Sequence, residues 1–284
     1  MKSIKSFFLF LFLFFLGSCS QKTDPNVVRL GIQPNEKDAD LATFAKELEG
    51  ASGLKVEYVV SHDYNDLVTQ FKNGKVDFAF FSPVNFIAAE KDAGAKVLLK
   101  KVYGASEFYF SALVVKADSH VKSVTDLKGQ TLAFVDPKST SGYLYPLVML
   151  KKSNLTLKDL SYEFAGTHDK AIEALLSGKA AAAAVWGDEP SKGTGAWTPF
   201  EKDGVKFRVL AWSEPIPNDA FAVRSKFYQE NPNVVFKVME GLISMSDADV
   251  GALKKVFDTD RMTTATSRHY DSVRSILEAQ GLQQ

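Results

Sequence analysis

A single cysteine, Cys19, occurs among the 284 residues. One thiol excludes an intrachain disulfide framework, a zinc ribbon and a CxxC redox centre. There are four histidines, and His62, His120 and His269 show no ligand-like spacing, so no metal site is expected. Charge of one sign is also missing: 34 basic and 34 acidic side chains cancel. Without a Lys/Arg excess, no nucleic-acid partner is expected, since nothing would neutralise a phosphate backbone. Beyond residue 18 no apolar run approaches the ~20 residues that a spanning helix needs. With 45% hydrophobic and 24% charged residues, the composition is that of a globular protein with a sizeable core.

The one strongly apolar run, Phe7 to Leu16, follows Lys2 and Lys5. It is too short to span a bilayer but has the length of a secretory h-region. Leu16-Gly17-Ser18-Cys19 follows at once and resembles a bacterial lipoprotein box. Small residues precede the cut and a thiol follows it, so lipidation of Cys19 and removal of residues 1–18 are expected. An ordinary secretory signal would require no cysteine at this place. Residues 19–26, polar and containing Pro25, read as a tether. The expected product is an exported cell-envelope protein, in the periplasm or on the cell surface, lipid-anchored and otherwise soluble.

The rest alternates strands and helices. Val27-Ile32 reads as a strand, and Leu41, Phe44, Ala45 and Leu48 recur at helical spacing. Lys55-Val60 is a second strand, Leu67, Val68 and Phe71 mark a second helix, and Val76-Phe81 is a third strand. This rhythm predicts an α/β layer structure with a largely parallel sheet. Phe71-Lys72-Asn73-Gly74-Lys75-Val76 is paralleled by Leu176-Ser177-Gly178-Lys179-Ala180-Ala181. Each is a helix end, a glycine suited to positive φ and then a buried strand, which suggests two lobes. Ala181-Trp186 is therefore predicted as a strand, against the helix propensity of its alanines. The C-terminal part reads as helical: a helix broken near Pro232, a short one around Leu253-Phe257, and a last one ended by Gly281. Asp258, Asp260 and Arg261 read as a solvated surface run.

Thr131-Val135 reads as a strand, Asp136-Pro137-Lys138 as a turn, and Leu144, Leu147 and Val148 as the start of an amphipathic helix. Ser139, Thr140 and Ser141 lie at that helix start, where unpaired N–H groups and the macrodipole attract anions. The hydroxyls add rotatable donors that suit a tetrahedral oxyanion. An N-cap needs only one of them. Gly142 is expected to let a ligand approach the backbone, and Lys138 to add long-range attraction. Pro146 is awkward, since it lies beyond the first turn.

Asp136-Pro137-Lys138-Ser139-Thr140-Ser141-Gly142-Tyr143-Leu144-Tyr145-Pro146 closely resembles the signature of the phosphate/phosphite/phosphonate-binding proteins of ABC transporters. His62-Asp63-Tyr64-Asn65-Asp66-Leu67, Val76 to Pro83, Ala165-Gly166-Thr167-His168-Asp169 and Ile216-Pro217-Asn218-Asp219 agree in order and spacing. Asp126-Leu127-Lys128-Gly129 agrees too but is shared widely among solute-binding proteins. The resemblance covers nearly the whole chain after Cys19. It implies an α/β, two-lobed periplasmic binding protein fold (type II) with ligand in the interlobe cleft and a helical C-terminus. Lobe 1 is expected from residues 27–112 and 222–284, lobe 2 from 113–221, with crossings near Ser111-Val115 and Phe221-Val223.

The implied ligand is a small phosphorus-containing anion, delivered to an ABC permease by a monomer without a cofactor. By the resemblance, Ser139, Thr140 and Ser141 hold the phosphoryl oxygens, His168 donates a further bond, and Tyr64 closes over the ligand. Asp219, and more loosely Asp188, match acidic positions that can meet the amine of an aminoalkylphosphonate. Phe86 stands where many relatives have Tyr, which would cost the site one donor. Trp186, at the end of its strand, is expected to face the cleft. Two other readings stay open. One is a phosphoryl-processing enzyme using the Ser-rich helix start, although no Gly-x-Ser-x-Gly, P-loop or HExxH occurs. The other is a surface lipoprotein or sensor partner that reuses the fold.

Overall fold

The computed structural model describes residues 26–34, 38–202, 204–245 and 251–282. The expected signal, Cys19 and all of the tether except Asn26 lie outside the described residues. The chain first builds β1 (Val27–Ile32), α1 (Asp38–Ser52), β2 (Lys55–Val60), α2 (Tyr64–Lys72), β3 (Phe78–Phe81), α3 (Pro83–Ala93) and β4 (Ala95–Val102). It then builds β5 (Phe108–Lys116), β6 (Thr131–Phe134), α4 (Tyr145–Lys152), β7 (Ser161–Phe164), α5 (His168–Leu176), β8 (Ala182–Gly187), β9 (Phe207–Trp212) and β10 (Ile216–Pro217). It ends with β11 (Ala220–Arg224), α6 (Ser225–Glu230), α7 (Pro232–Ser244), α8 (Ala252–Phe257), β12 (Arg261–Thr264) and α9 (Asp271–Ala279).

Two six-stranded sheets result. The first runs β12-β4-β11-β3-β1-β2; the second runs β10-β5-β8-β6-β7, with β9 also paired to β5. Neither is largely parallel. β1 pairs parallel with β2 and β3, and β6 with β7 and β8, while the remaining pairings are antiparallel. The expected parallel sheet is corrected because β11 returns from the second sheet and inserts between β3 and β4, a long-range event that no local pattern encodes.

The expected lobe boundaries also move. Residue 112 falls inside β5, which belongs wholly to the second sheet, and residue 222 falls inside β11, which belongs to the first. The pairing partners change between Val102 and Phe108 and between Pro217 and Ala220. The two crossings are therefore residues 103–107 and 218–219, rather than Ser111-Val115 and Phe221-Val223.

The cores differ. The first sheet buries Phe78, Phe80 and Phe221 with Phe44 and Phe257 from its helices. The Phe80 and Phe257 rings stack at 4.2 Å. Each such ring contributes on the order of 1.5–3 kcal/mol by leaving water. Under this sheet Asp77 is fully buried, and it accepts Nε and Nη2 of Arg29 (both 2.8 Å) and Nη2 of Arg224 (2.6 Å). The second sheet is built of small residues. Ala183 and Val185 of β8 face one apolar cluster, Ala182 and Ala184 the opposite one. Burial on both faces with period 2 is what turns the alanine run into a strand despite its propensity. Gly178, at φ 77, ends α5 just before it. At the back of the molecule, Val273 and Leu277 of α9 cluster with Val84, next to the first sheet, and with Leu144, Tyr145 and Ile216, next to the second.

Candidate functional site: a cleft at converging helix starts

Four helix starts face one cavity of about 600 Å³ between the two sheets. Tyr64 opens α2 behind its cap Asp63, which accepts from Asp66 N at 2.7 Å. Ser82 caps α3, Ser139 caps the turn that leads into α4, and Thr167 caps α5. Tyr64, Ser82, Ser139, Thr140, Ser141, Thr167 and His168 all line the cavity. The dipoles of these helix starts place partial positive charge around the same space, while the first amides of α3 are already taken by Thr140 Oγ1 and Ser82.

The hydroxyl run sits on a π-helical turn, Thr140–Leu144. The widened turn resolves Pro146. It becomes the second residue of α4, near the start, where a missing N–H is tolerated. The carbonyl of Ser141, which the proline cannot serve, instead accepts Ser111 Oγ from β5 at 2.6 Å. Ser139 Oγ accepts from Gly142 N at 3.0 Å, and Thr140 Oγ1 accepts from Val84 N of α3 at 3.0 Å. Each of these oxygens takes a backbone donor and keeps its own proton for another acceptor. Tyr109 lines the cavity with Ser141, and burial suppresses its ionisation strongly. All three residues of the run are at most 2% exposed, so a ligand there is desolvated on their side.

Gly142 does not serve ligand approach as expected. A Cβ there would lie 2.4 Å from Val135 Cγ2, so the position is fixed by packing of the turn onto the strand end. Lys138 does not line the cavity; its backbone N–H donates to Asp136 Oδ1 in the turn.

His168 stands at the first position of α5 and is 8% exposed. Burial lowers its pKa to about 3, so the ring is neutral at ordinary pH. Trp186 N donates to its Nδ1 at 3.3 Å. With Nδ1 accepting, the proton resides on Nε2, which makes His168 a neutral donor. Trp186 itself lines the cavity, as its place at the end of β8 suggested.

Tyr64 is 2% exposed and belongs to the apolar cluster of the second sheet, with Ala171, Val185 and Trp197, although its helix belongs to the first. Asn85 Nδ2 donates to Tyr64 O at 2.8 Å and holds the start of α2 against α3. Asp188 and Asp219 also line the cavity. Phe86 does not line it. Its ring is fully buried in the first-sheet core, 4.8 Å from Tyr270, because its place on α3 turns it away from the cleft. The donor thought missing at Phe86 is therefore not a donor of this cavity.

Sequence reasoning missed several lining residues. Tyr109 at the start of β5 and Lys101 at the end of β4 flank the first crossing, and Tyr103 is its first residue; the place of that crossing was misjudged. Asp258, read as surface, lines the cavity in a left-handed conformation (φ 46), with Lys254 Nζ 3.2 Å away. An aspartate four residues after a lysine, closing a short helix, was the available signal.

Two α/β layers joined by two crossings, with an anion-seeking cleft between them, define a ligand-binding protein of the periplasmic type. Residues 30–270 match the family described as "ABC transporter, phosphonate, periplasmic substrate-binding protein", and the chain belongs to it. A curated relative is the phosphate-import protein PhnD of Mycolicibacterium smegmatis, 27% identical, with 90% of this chain and 87% of that protein covered. Among solved structures, PhnD1 of Prochlorococcus marinus in complex with methylphosphonate superposes with a TM-score of 0.76 at 18% identity, covering 91% of this chain and 99% of that one. A binding-protein component of an ABC phosphonate transporter from Pseudomonas aeruginosa gives 0.75 at 22% identity, covering 88% and 85%. These relatives are substrate-binding transport proteins rather than enzymes. Among the described residues, no helix is long and apolar enough to cross a membrane.

Proposed function

We propose that the protein captures a phosphorus oxyanion (a phosphonate, phosphite or phosphate) in the cleft and delivers it to an ABC permease. The observation that carries this is the convergence of Ser139, Thr140, Ser141 and neutral His168 on four helix starts. These are donors without an activated nucleophile. The phosphoryl oxygens take the hydroxyl protons and His168 Nε2–H, while Tyr64 covers the ligand from the first layer. The crossings at 103–107 and 218–219 form the hinge, and ligand favours the closed arrangement by touching both layers. Anchoring is through a lipid on Cys19, supported by the apolar run and small residues before it. Export through the cell envelope fits the family.

Titration calorimetry on the soluble chain from Ser20, freed of bound ligand, tests the reading. The panel is phosphate, phosphite, methylphosphonate and 2-aminoethylphosphonate, with sulfate as control. Micromolar or tighter binding of a phosphorus compound is expected, and binding of none would overturn the proposal. Intact mass of the protein made in a bacterial host, with and without Cys19→Ser, tests the anchor.

A further inference from the structure

Charge is spread unevenly over the cavity wall. Among the described lining residues there are four carboxylates, Asp169, Asp188, Asp219 and Asp258, and one ammonium, Lys101. Asp169 is exposed in the first turn of α5. Asp258 is held by Lys254. Asp188 takes the Thr194 hydroxyl and also borders an adjoining cavity of about 330 Å³ with Tyr103 and Pro199. Asp219 lies three residues past Ile216, which pairs with Tyr109 of β5, and both Asp219 and Tyr109 line the cavity with the hydroxyl run.

Asp219 is already engaged. Lys101 Nζ lies 3.2 Å from its Oδ2, and the backbone N–H of Lys101 donates to its carbonyl at 3.1 Å. The two side chains are only 12% and 24% exposed, so salt and water screen the pair less than a surface pair. The ammonium also sits 4.9 Å from the ring centroid of Phe257 and 5.7 Å from that of Phe80, which fixes it on the aromatic core. The pair joins β4 to the crossing before β11, 118 positions apart in the chain.

The geometry points to Lys101 as a specificity-determining residue. By holding Asp219, it removes a part-buried lining carboxylate as a partner for a ligand ammonium, and its own charge repels one. The cleft therefore takes a phosphorus oxyanion with an uncharged substituent in preference to the aminoalkyl analogue of equal length. This inference rests on the phosphorus reading of the cradle. It assigns a discriminating role through repulsion as much as attraction.

The test compares propylphosphonate with 2-aminoethylphosphonate, which differ by a methyl against an ammonium, at neutral pH by calorimetry. The wild-type chain is expected to bind propylphosphonate at least about tenfold more tightly. Lys101→Met should lower that ratio by about tenfold or more, Lys101→Arg should keep it, and Lys101→Met with Asp219→Asn should restore it. Should Lys101→Met fail to fold, Asp219→Asn alone reads the same point, because an uncompensated Lys101 raises the ratio. Equal or tighter binding of the amine by wild type, or a ratio unmoved by Lys101→Met or Asp219→Asn, overturns the inference and leaves the phosphorus reading intact. A wild-type chain that binds neither these two nor any other phosphorus compound of the panel overturns both.

Discussion

The groups on the cavity wall fall into two sets. Three hydroxyls and a neutral imidazole at the helix starts carry no formal charge. Asp169, beside that imidazole, together with Asp188, Asp219, Asp258 and the lining ammonium of Lys101, makes an ionic set. The dipolar set is fixed by caps and packing, which suits a tetrahedral oxyanion. The ionic set contains pairs such as Lys101–Asp219 and Lys254–Asp258. Under the proposed reading, affinity rests on the first set and selectivity on the second, so the two can be altered separately.

The sharpest way to break the comparison is at the dipolar set. Ser139→Ala with Thr140→Val removes two donors to a desolvated anion, at about 1.5–3 kcal/mol each. Affinity for every phosphorus ligand should fall by at least about a hundredfold in calorimetry. A loss confined to one ligand would mean that the hydroxyls select rather than hold.

Gly142→Ala comes next. Its Cβ overlaps Val135, so overpacking should cost about 1–3 kcal/mol of stability in urea melts. Adding Val135→Ala should recover little of it, because the Cβ of residue 135 stays 2.5 Å away and Ser139 Oγ 2.8 Å away; a ligand-approach role for Gly142 would instead leave stability untouched and lower affinity alone.

The neutral histidine gives a smaller, pH-dependent effect. His168 has a folded pKa of about 3, below its unfolded value near 6.5. Above pH 6.5 neither state is charged and the group contributes nothing. Below it the unfolded chain takes a proton that the folded chain does not, so stability is lost by about 1.4 kcal/mol per pH unit until the folded pKa is reached. His168→Gln should flatten that slope in melts between pH 7 and 5. Ligand affinity, corrected for the ligand's own ionisation, should stay level over the same range. A histidine-type inflection would mean that an imidazolium binds.

The smallest effect belongs to the ionic set. Asp188→Asn should change methylphosphonate affinity by less than about threefold, because the Asp188 carboxylate is already engaged by the Thr194 hydroxyl. A larger change would make Asp188 part of the anion's own holding set.

Local chemistry made much of this legible. Val27–Ile32 and Lys55–Val60 form strands as their β-branched runs imply, and Gly178 correctly divides helix from strand before the alanines. Ser139, Thr140, Ser141, His168, Tyr64, Asp188 and Asp219 all reach one cavity. What stayed hidden depends on pairing between distant segments. The insertion of β11 between β3 and β4 moved both crossings and put Lys101 and Tyr109 on the cavity wall. Phe86 was misplaced because its motif sits on a helix start at the cleft while its own side chain points into the core. Asp258 was taken for surface because a charge run reads the same whether it meets solvent or a cleft.

The hydroxyl of Thr140 takes the amide of Val84, so a helix start of the first layer rests on the ligand-facing run of the second. A helix end acts as a dipole, and its pull fades within about one turn, far faster than that of a full charge. Parting the layers by a fraction of a helix turn would therefore weaken the hold of the first layer's helix starts on an anion, and among the described residues no arginine lines the cavity while Lys101 is taken by Asp219.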